Sequence, residues 1–184
     1  MILGLLLFFT PGLQTYEYWV EPCKPSESAC EEGDTALADW SMEAWQRASD
    51  GHLKFAKVAS EKQAQIRLYW AGARQGLYGE ARPIWVDGKR GAEVYVLPAH
   101  VDGDRLLRDT IVYLTCLHET GHALGLDHTN QFADIMYSFQ YGGDIPEYFG
   151  RYRRKLKSRA DIRSESGMSA ADREHLAAVL KRAE

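Results

Sequence analysis

Apolar residues recur along this chain at two spacings, every second residue and every third or fourth, and the switches between them mark out its elements. Thr15 to Val20, Leu53 to Val58, Gln65 to Trp70 and Ala92 to Leu97 have the β-branched and aromatic content of strands. In the third of these, Ile66, Leu68 and Trp70 alternate with Arg67 and Tyr69, the pattern of a sheet with one buried face. Between the first two strands, Leu37, Trp40, Ala44, Trp45 and Ala48 supply one apolar helix face, with Asp34 as the expected N-cap and Asp50-Gly51 as the stop. A second helix opens at Asp102-Gly103-Asp104 and buries Leu107, Ile111, Leu114 and Leu117, and a third, Ala170 to Arg182, closes the domain. From Gly72 to Gly91 the chain is rich in Gly, Arg and Asp with short extended pieces, and Asp87-Gly88 reads as a turn or, less simply, as part of a calcium site.

Composition narrows the picture. A chain of 184 residues, 45% of them hydrophobic, can bury one core, so residues 16–184 are expected to form a single domain. The net charge of −4 argues against a general nucleic-acid binder, although Arg151, Arg153, Arg154, Lys155, Lys157, Arg159 and Arg163 form a local basic run. That run could meet acidic substrates or simply be a solvated face. Residues 1–15 contain the apolar stretch Ile2 to Phe9, closed by Thr10-Pro11-Gly12. It is shorter than the roughly 20 residues needed to span a bilayer and fits the apolar region of a secretory signal, although it has neither a preceding basic residue nor an A-x-A site. The alternative is an N-terminal strand. A signal would place the protein outside the cell or in the periplasm, without stable membrane insertion. Cys23 and Cys30 flank a polar loop and could form a disulfide in an oxidising compartment, whereas Cys116 sits about 200° round the helix from His118 and should be a buried thiol.

The chemistry is concentrated in His118-Glu119-Thr120-Gly121-His122-Ala123-Leu124-Gly125-Leu126-Asp127-His128. His118 and His122 lie four residues apart, on one helix face, where both imidazoles can reach one metal ion. Gly125 can take positive φ, end the helix and turn the chain back so that His128 supplies a third ligand. Three imidazoles leave a tetrahedral zinc with one open position, the pattern of a catalytic site, and Glu119 stands beside it as the candidate general base. The plain alternative is two ordinary helix histidines followed by a glycine C-cap.

This stretch, followed by Ala133-Asp134-Ile135-Met136-Tyr137, resembles the metzincin clan of zinc endopeptidases, and within it the matrixins. Trp45, His52-Leu53-Lys54-Phe55 and Ala64-Gln65-Ile66-Arg67-Leu68 extend the likeness over most of the chain. The resemblance implies an α+β fold: a twisted mixed sheet with two long helices above and below it, a methionine turn and a C-terminal helix. It implies zinc-dependent hydrolysis of an extended peptide by a monomer, with Met136 as an apolar floor under the metal and Gly76 to Ile84 as the substrate-binding edge strand. In this family a pair of aspartates starts the last helix; here Ala171 takes the first place and Asp172 keeps the second, implying a bond from Asp172 to the backbone around Met136 to Ser138. Ser169 and Asp172 could instead form only a local capping box. Two departures matter. No histidine lies between His52 and His100 to hold the family's structural zinc, and Pro22-Cys23-Lys24-Pro25 lacks the arginine and glycine of its metal-capping propeptide motif. The competing functional reading is a non-catalytic zinc protein that binds an anionic partner through residues 151–163.

Overall fold

The computed structural model describes residues 12–72, 78–98 and 103–182. The apolar stretch Ile2 to Phe9, Gly76 and Leu77 of the expected edge strand, and Asp102 lie outside the described residues. Five strands, β1 (Gln14–Val20), β2 (Leu53–Lys57), β3 (Ile66–Trp70), β4 (Gly79–Val86) and β5 (Lys89–Val96), form one sheet in the order β2-β1-β3-β5-β4. All neighbours are parallel except β4 and β5, which form an antiparallel hairpin. The hairpin closes on Asp87 (φ 49°) and Gly88 (φ 75°), the two left-handed residues that match a two-residue turn to strand twist. Gln14 and Thr15 pair with Leu53 and Lys54, so the folded domain starts inside the segment assigned to the signal.

Side chains at alternate strand positions decide where the helices go. Tyr18, Val20, Ile66, Leu68, Trp70, Val94 and Val96 are buried on one face, while across the other Trp19 packs edge-on against Tyr69, which stacks on Tyr95. Helices α1 (Asp34–Ala48) and α2 (Arg105–Leu124) pack on each other and both lie over the buried face. The α+β mixed sheet is as expected, but the two long helices share one face instead of standing above and below the sheet. Trp45 joins them: it is fully buried and its indole Nε1–H donates to the Leu117 carbonyl at 2.9 Å, the residue before His118. No helix among the described residues is long and apolar enough to cross a membrane.

The two helix starts are also bound together. Asp104 caps α2 by accepting the Leu107 N–H at 2.9 Å. Asp34, expected to cap α1, instead occupies its first turn after Gly33, because its carboxylate is fully buried and turned toward α2. There it accepts from both terminal guanidinium nitrogens of Arg108, from Nη2 at 2.6 Å, and from the Glu31 N–H at 2.8 Å. Cys23 and Cys30 are joined in a disulfide that closes the loop preceding this pair, and this bond leaves Cys23 no thiolate to cap a metal. Cys116 is buried and unpaired, its thiol pushed up by burial.

The basic run spans the end of α3 (Ile145–Arg153) and the short α4 (Asp161–Ser164), and α5 (Ala170–Arg182) follows. Its charges are largely engaged within the protein. Arg153 pairs with Asp104, Arg154 with Glu147, Arg159 with Asp109 and Arg163 with Glu43, while Arg151 lies over the Tyr148 and Phe132 rings. Of the two readings of this run, an anion-binding face and a solvated one, the first therefore loses most of its available guanidinium groups.

Removing one member of a buried ion pair strands the other. Asp34→Ala should cost about 3–5 kcal/mol in urea denaturation, with much of the loss recovered when Arg108 is also replaced by Met. A loss below about 1 kcal/mol would show that the pair behaves as if solvated.

Candidate metal centre

The last two turns of α2 carry His118 and His122 on one face, and Gly125 then ends the helix at φ 99° with its N–H bonded back to Gly121 and His122 carbonyls. A Cβ there would meet nothing closer than 3.5 Å, so the requirement for glycine is conformational and not steric. Beyond the reversal, His128 Nε2 lies 3.2 Å from His118 Nε2 and 3.0 Å from His122 Nε2. Ligands around a tetrahedral zinc at about 2.0–2.1 Å are separated by about 3.3 Å, so the three atoms stand where one ion would hold them. They are the only cluster of three or more metal-ligating side chains among the described residues.

The outer partners of the rings favour the same use. His118 Nδ1–H donates to the Ile135 carbonyl at 2.6 Å and His122 Nδ1–H to the Leu126 carbonyl at 2.8 Å, which leaves each Nε2 lone pair pointing inward. Burial lowers the pKa of all three imidazoles, that of His118 to about 3, so the neutral, ligating form prevails. Glu119 follows the first ligand and lines the same cavity. Burial, helped by the charge of Glu80, raises its carboxyl to about 8 in the absence of an ion. Gly79 at the start of β4 packs on this carboxylate: a Cβ at Gly79 would come within 2.8 Å of Glu119 Oε1.

The methionine turn underlies the helix. Met136 is fully buried, and a Cβ at Gly121 would collide with its sulfur and reach 3.0 Å from Trp45. Thr129 N–H donates to the Met136 carbonyl at 2.8 Å, holding the residue after His128 against the turn. Asp172, with no solvent exposure, accepts the Ile135 N–H at 2.9 Å and the Met136 N–H at 3.4 Å. The bonds begin one residue before the span read from the sequence. Asp172 also accepts the Ser169 N–H at 2.8 Å while Ser169 Oγ accepts the Asp172 N–H at 3.0 Å. The tertiary bond and the capping box thus coexist. Burial raises the Asp172 carboxyl, against the lowering effect of these N–H donors.

The three histidines and Glu119 open on a cavity of about 450 Å³ whose lining includes Tyr78, Leu114, Phe139, Tyr148 and Phe149. The last two come from α3, just ahead of the basic run. Their signal was present: Asp144 caps the Glu147 N–H, and Tyr148, Phe149 and Tyr152 fall on one buried face.

Asp172→Ala should lower both thermal stability, by about 1–3 kcal/mol, and zinc affinity in a chelator competition; a stability loss with unchanged zinc affinity would reduce Asp172 to a cap. A pH titration of the metal-free protein tests Glu119. Between its ordinary value near 4.5 and about 8 the folded chain holds a proton there that the unfolded chain has released, so this group's contribution to stability falls as pH rises. The histidines act oppositely: their folded values lie below 6.5, so they destabilise the fold as pH drops below that. Glu119→Gln should therefore gain thermal stability over the parent chain from pH 5 to pH 8, and a constant difference would show the carboxyl to be solvated.

A matrixin family model matches residues 14–145. Macrophage metalloelastase of Oryctolagus cuniculus is 33% identical over 46% of this chain and 20% of its own length. Interstitial collagenase of Sus scrofa is 30% identical over 74% of this chain and 31% of its own length. The chain thus spans between a fifth and a third of these relatives. The crystal structure of archaemetzincin from Methanopyrus kandleri shares the fold, with a TM-score of 0.52 at 17% identity, covering 96% of this chain and all of that one. Because the family match takes in well over half the sequence, including all three histidines and the methionine turn, the chain belongs to the matrixin family.

Proposed function

We propose that this chain is a zinc-dependent endopeptidase, with His118, His122 and His128 holding one catalytic zinc and Glu119 acting as general base on an extended protein substrate. The observation that carries this reading is the meeting of three inward-facing Nε2 atoms with a buried carboxylate on one cavity beside a sheet edge. Zinc bound there supplies a Lewis acid for a water molecule and for the scissile carbonyl. Glu119 takes a proton from that water and returns it to the departing amine, and its burial keeps the carboxyl able to hold a proton near neutral pH. The α2 backbone holds Glu119 and two of the ligands on one rigid element, and Met136 with Asp172 braces them from below. Tyr78, Leu114, Phe139, Tyr148 and Phe149 give the cavity an apolar wall suited to a substrate side chain.

The Cys23–Cys30 disulfide supports action in an oxidising compartment, outside the cell or in the periplasm. The folded unit that does this is a single catalytic domain beginning near Gln14. Against the competing role of an anion-binding protein, Arg153, Arg154, Arg159 and Arg163 face acidic groups of their own chain.

Cleavage of an unstructured protein such as casein, with zinc content measured in parallel, tests this directly. Glu119→Ala should keep its zinc and fold and lose about 10²–10⁴-fold in activity. Equal activity of the two proteins would remove Glu119 from the mechanism.

A further inference from the structure

The open edge of β4 is not uniform. Among the described residues β4 pairs with β5 alone and forms one margin of the sheet. In the antiparallel register Gly79 faces Val96 and Val86 faces Lys89. Leu97 N–H donates to the Tyr78 carbonyl at 2.8 Å, so Tyr78 and Leu97 are a directly bonded pair. Bonded pairs recur every second residue in such a ladder. Glu80, Arg82, Ile84 and Val86 therefore turn their backbone groups toward β5, and Gly79, Ala81, Pro83 and Trp85 turn theirs outward. The two-residue turn at Asp87-Gly88 requires the same phase, since the residues flanking it, Val86 and Lys89, must be a bonded pair. Gly79 and Ala81 thus present both N–H and C=O to an incoming strand, and Pro83 presents only C=O.

Gly79 touches Glu119, and Gly79 and Ala81 line the metal cavity, so β4 runs away from the metal toward its hairpin tip. A peptide added antiparallel to it runs toward the metal, with its N-terminal part over Pro83. We propose that Pro83 is a specificity-determining residue, which confines backbone recognition on the N-terminal side of the scissile bond to the two substrate residues paired with Gly79 and Ala81. This inference rests on the protease reading above. A substrate residue opposite Gly79 exchanges two hydrogen bonds, the residue two places toward the N-terminus exchanges two with Ala81, and the next in phase donates one to Pro83 while its own carbonyl faces no donor. Substrate residues that far from the bond gain little from the edge, so a short extended segment suffices for recognition.

The test is a nested series of peptides extended stepwise on the N-terminal side, cleaved by the parent protein and by Pro83→Val, which restores the N–H and suits a strand. The parent kcat/KM should rise as residues opposite Gly79 and Ala81 are added and then change by less than about threefold. Pro83→Val should raise kcat/KM by about threefold to tenfold, through KM, only for peptides that reach position 83. The gain should vanish when the substrate carbonyl facing position 83 is reduced to a methylene. Rates of the parent that keep climbing past Pro83, or a variant gain shared by short peptides, would overturn the assignment, as would an unchanged series in which the variant merely self-associates. Binding of the same peptides to zinc-loaded Glu119→Ala separates the two readings: no cleavage by the parent with the length pattern kept in binding sinks the protease reading alone, and a length-independent affinity sinks the role of Pro83.

Discussion

Three ring nitrogens must stand within about 3.3 Å of one another to share a zinc, and a single straight helix can supply only two of them. The site therefore depends on the reversal at Gly125, whose φ of 99° a side chain would resist although there is room for one. The neighbouring glycine obeys a different constraint. Gly121 is helical and unstrained, and it is needed because Met136 and Trp45 press against that turn of α2. Conformation at one position and space at the other bring His128 over the helix and the methionine turn beneath it.

The surrounding structure keeps that reversal in place. Peptide carbonyls of Ile135 and Leu126 orient His118 and His122, and the same Ile135 gives its N–H to Asp172. One residue thus connects the His118 ring to a buried carboxylate on the final helix. At the other end of α2, Arg108 and Asp34 secure its first turns to α1. Anchored at both ends and crossed by Trp45, the helix presents Glu119 to the cavity from a fixed backbone, and β4 places Gly79 directly against it.

Much of this was legible in the chain because the informative residues are local. The spacing of His118, His122, Gly125 and His128 encodes the ligand geometry, and the alternation in β3 encodes its buried face. Asp172 was legible through family likeness and not through any local pattern, since Ser169 satisfies it equally well as a cap. What could not be read depends on partners distant in sequence. Asp34 looks like an N-cap until Arg108, in a helix far along the chain, is seen opposite it. The arginines of residues 151–163 look like a charged surface until Asp104, Asp109 and Glu43 are placed beside them. Tyr148 and Phe149 precede those charges and were passed over, although the Asp144 cap and the aromatic spacing marked an amphipathic helix. The two long helices lie on the side of the sheet that carries its buried alternate residues, while Trp19, Tyr69 and Tyr95 line the other face and pack on one another.

The central claim is that three histidines and no other protein group hold the ion, leaving a position open for water. X-ray absorption at the zinc edge of the loaded protein reads this without reference to any substrate. The account predicts three imidazole nitrogens and one oxygen at about 2.0–2.1 Å, with the imidazole signature reduced in His128→Ala. A shell containing sulfur, or one unchanged by loss of His128, would contradict it.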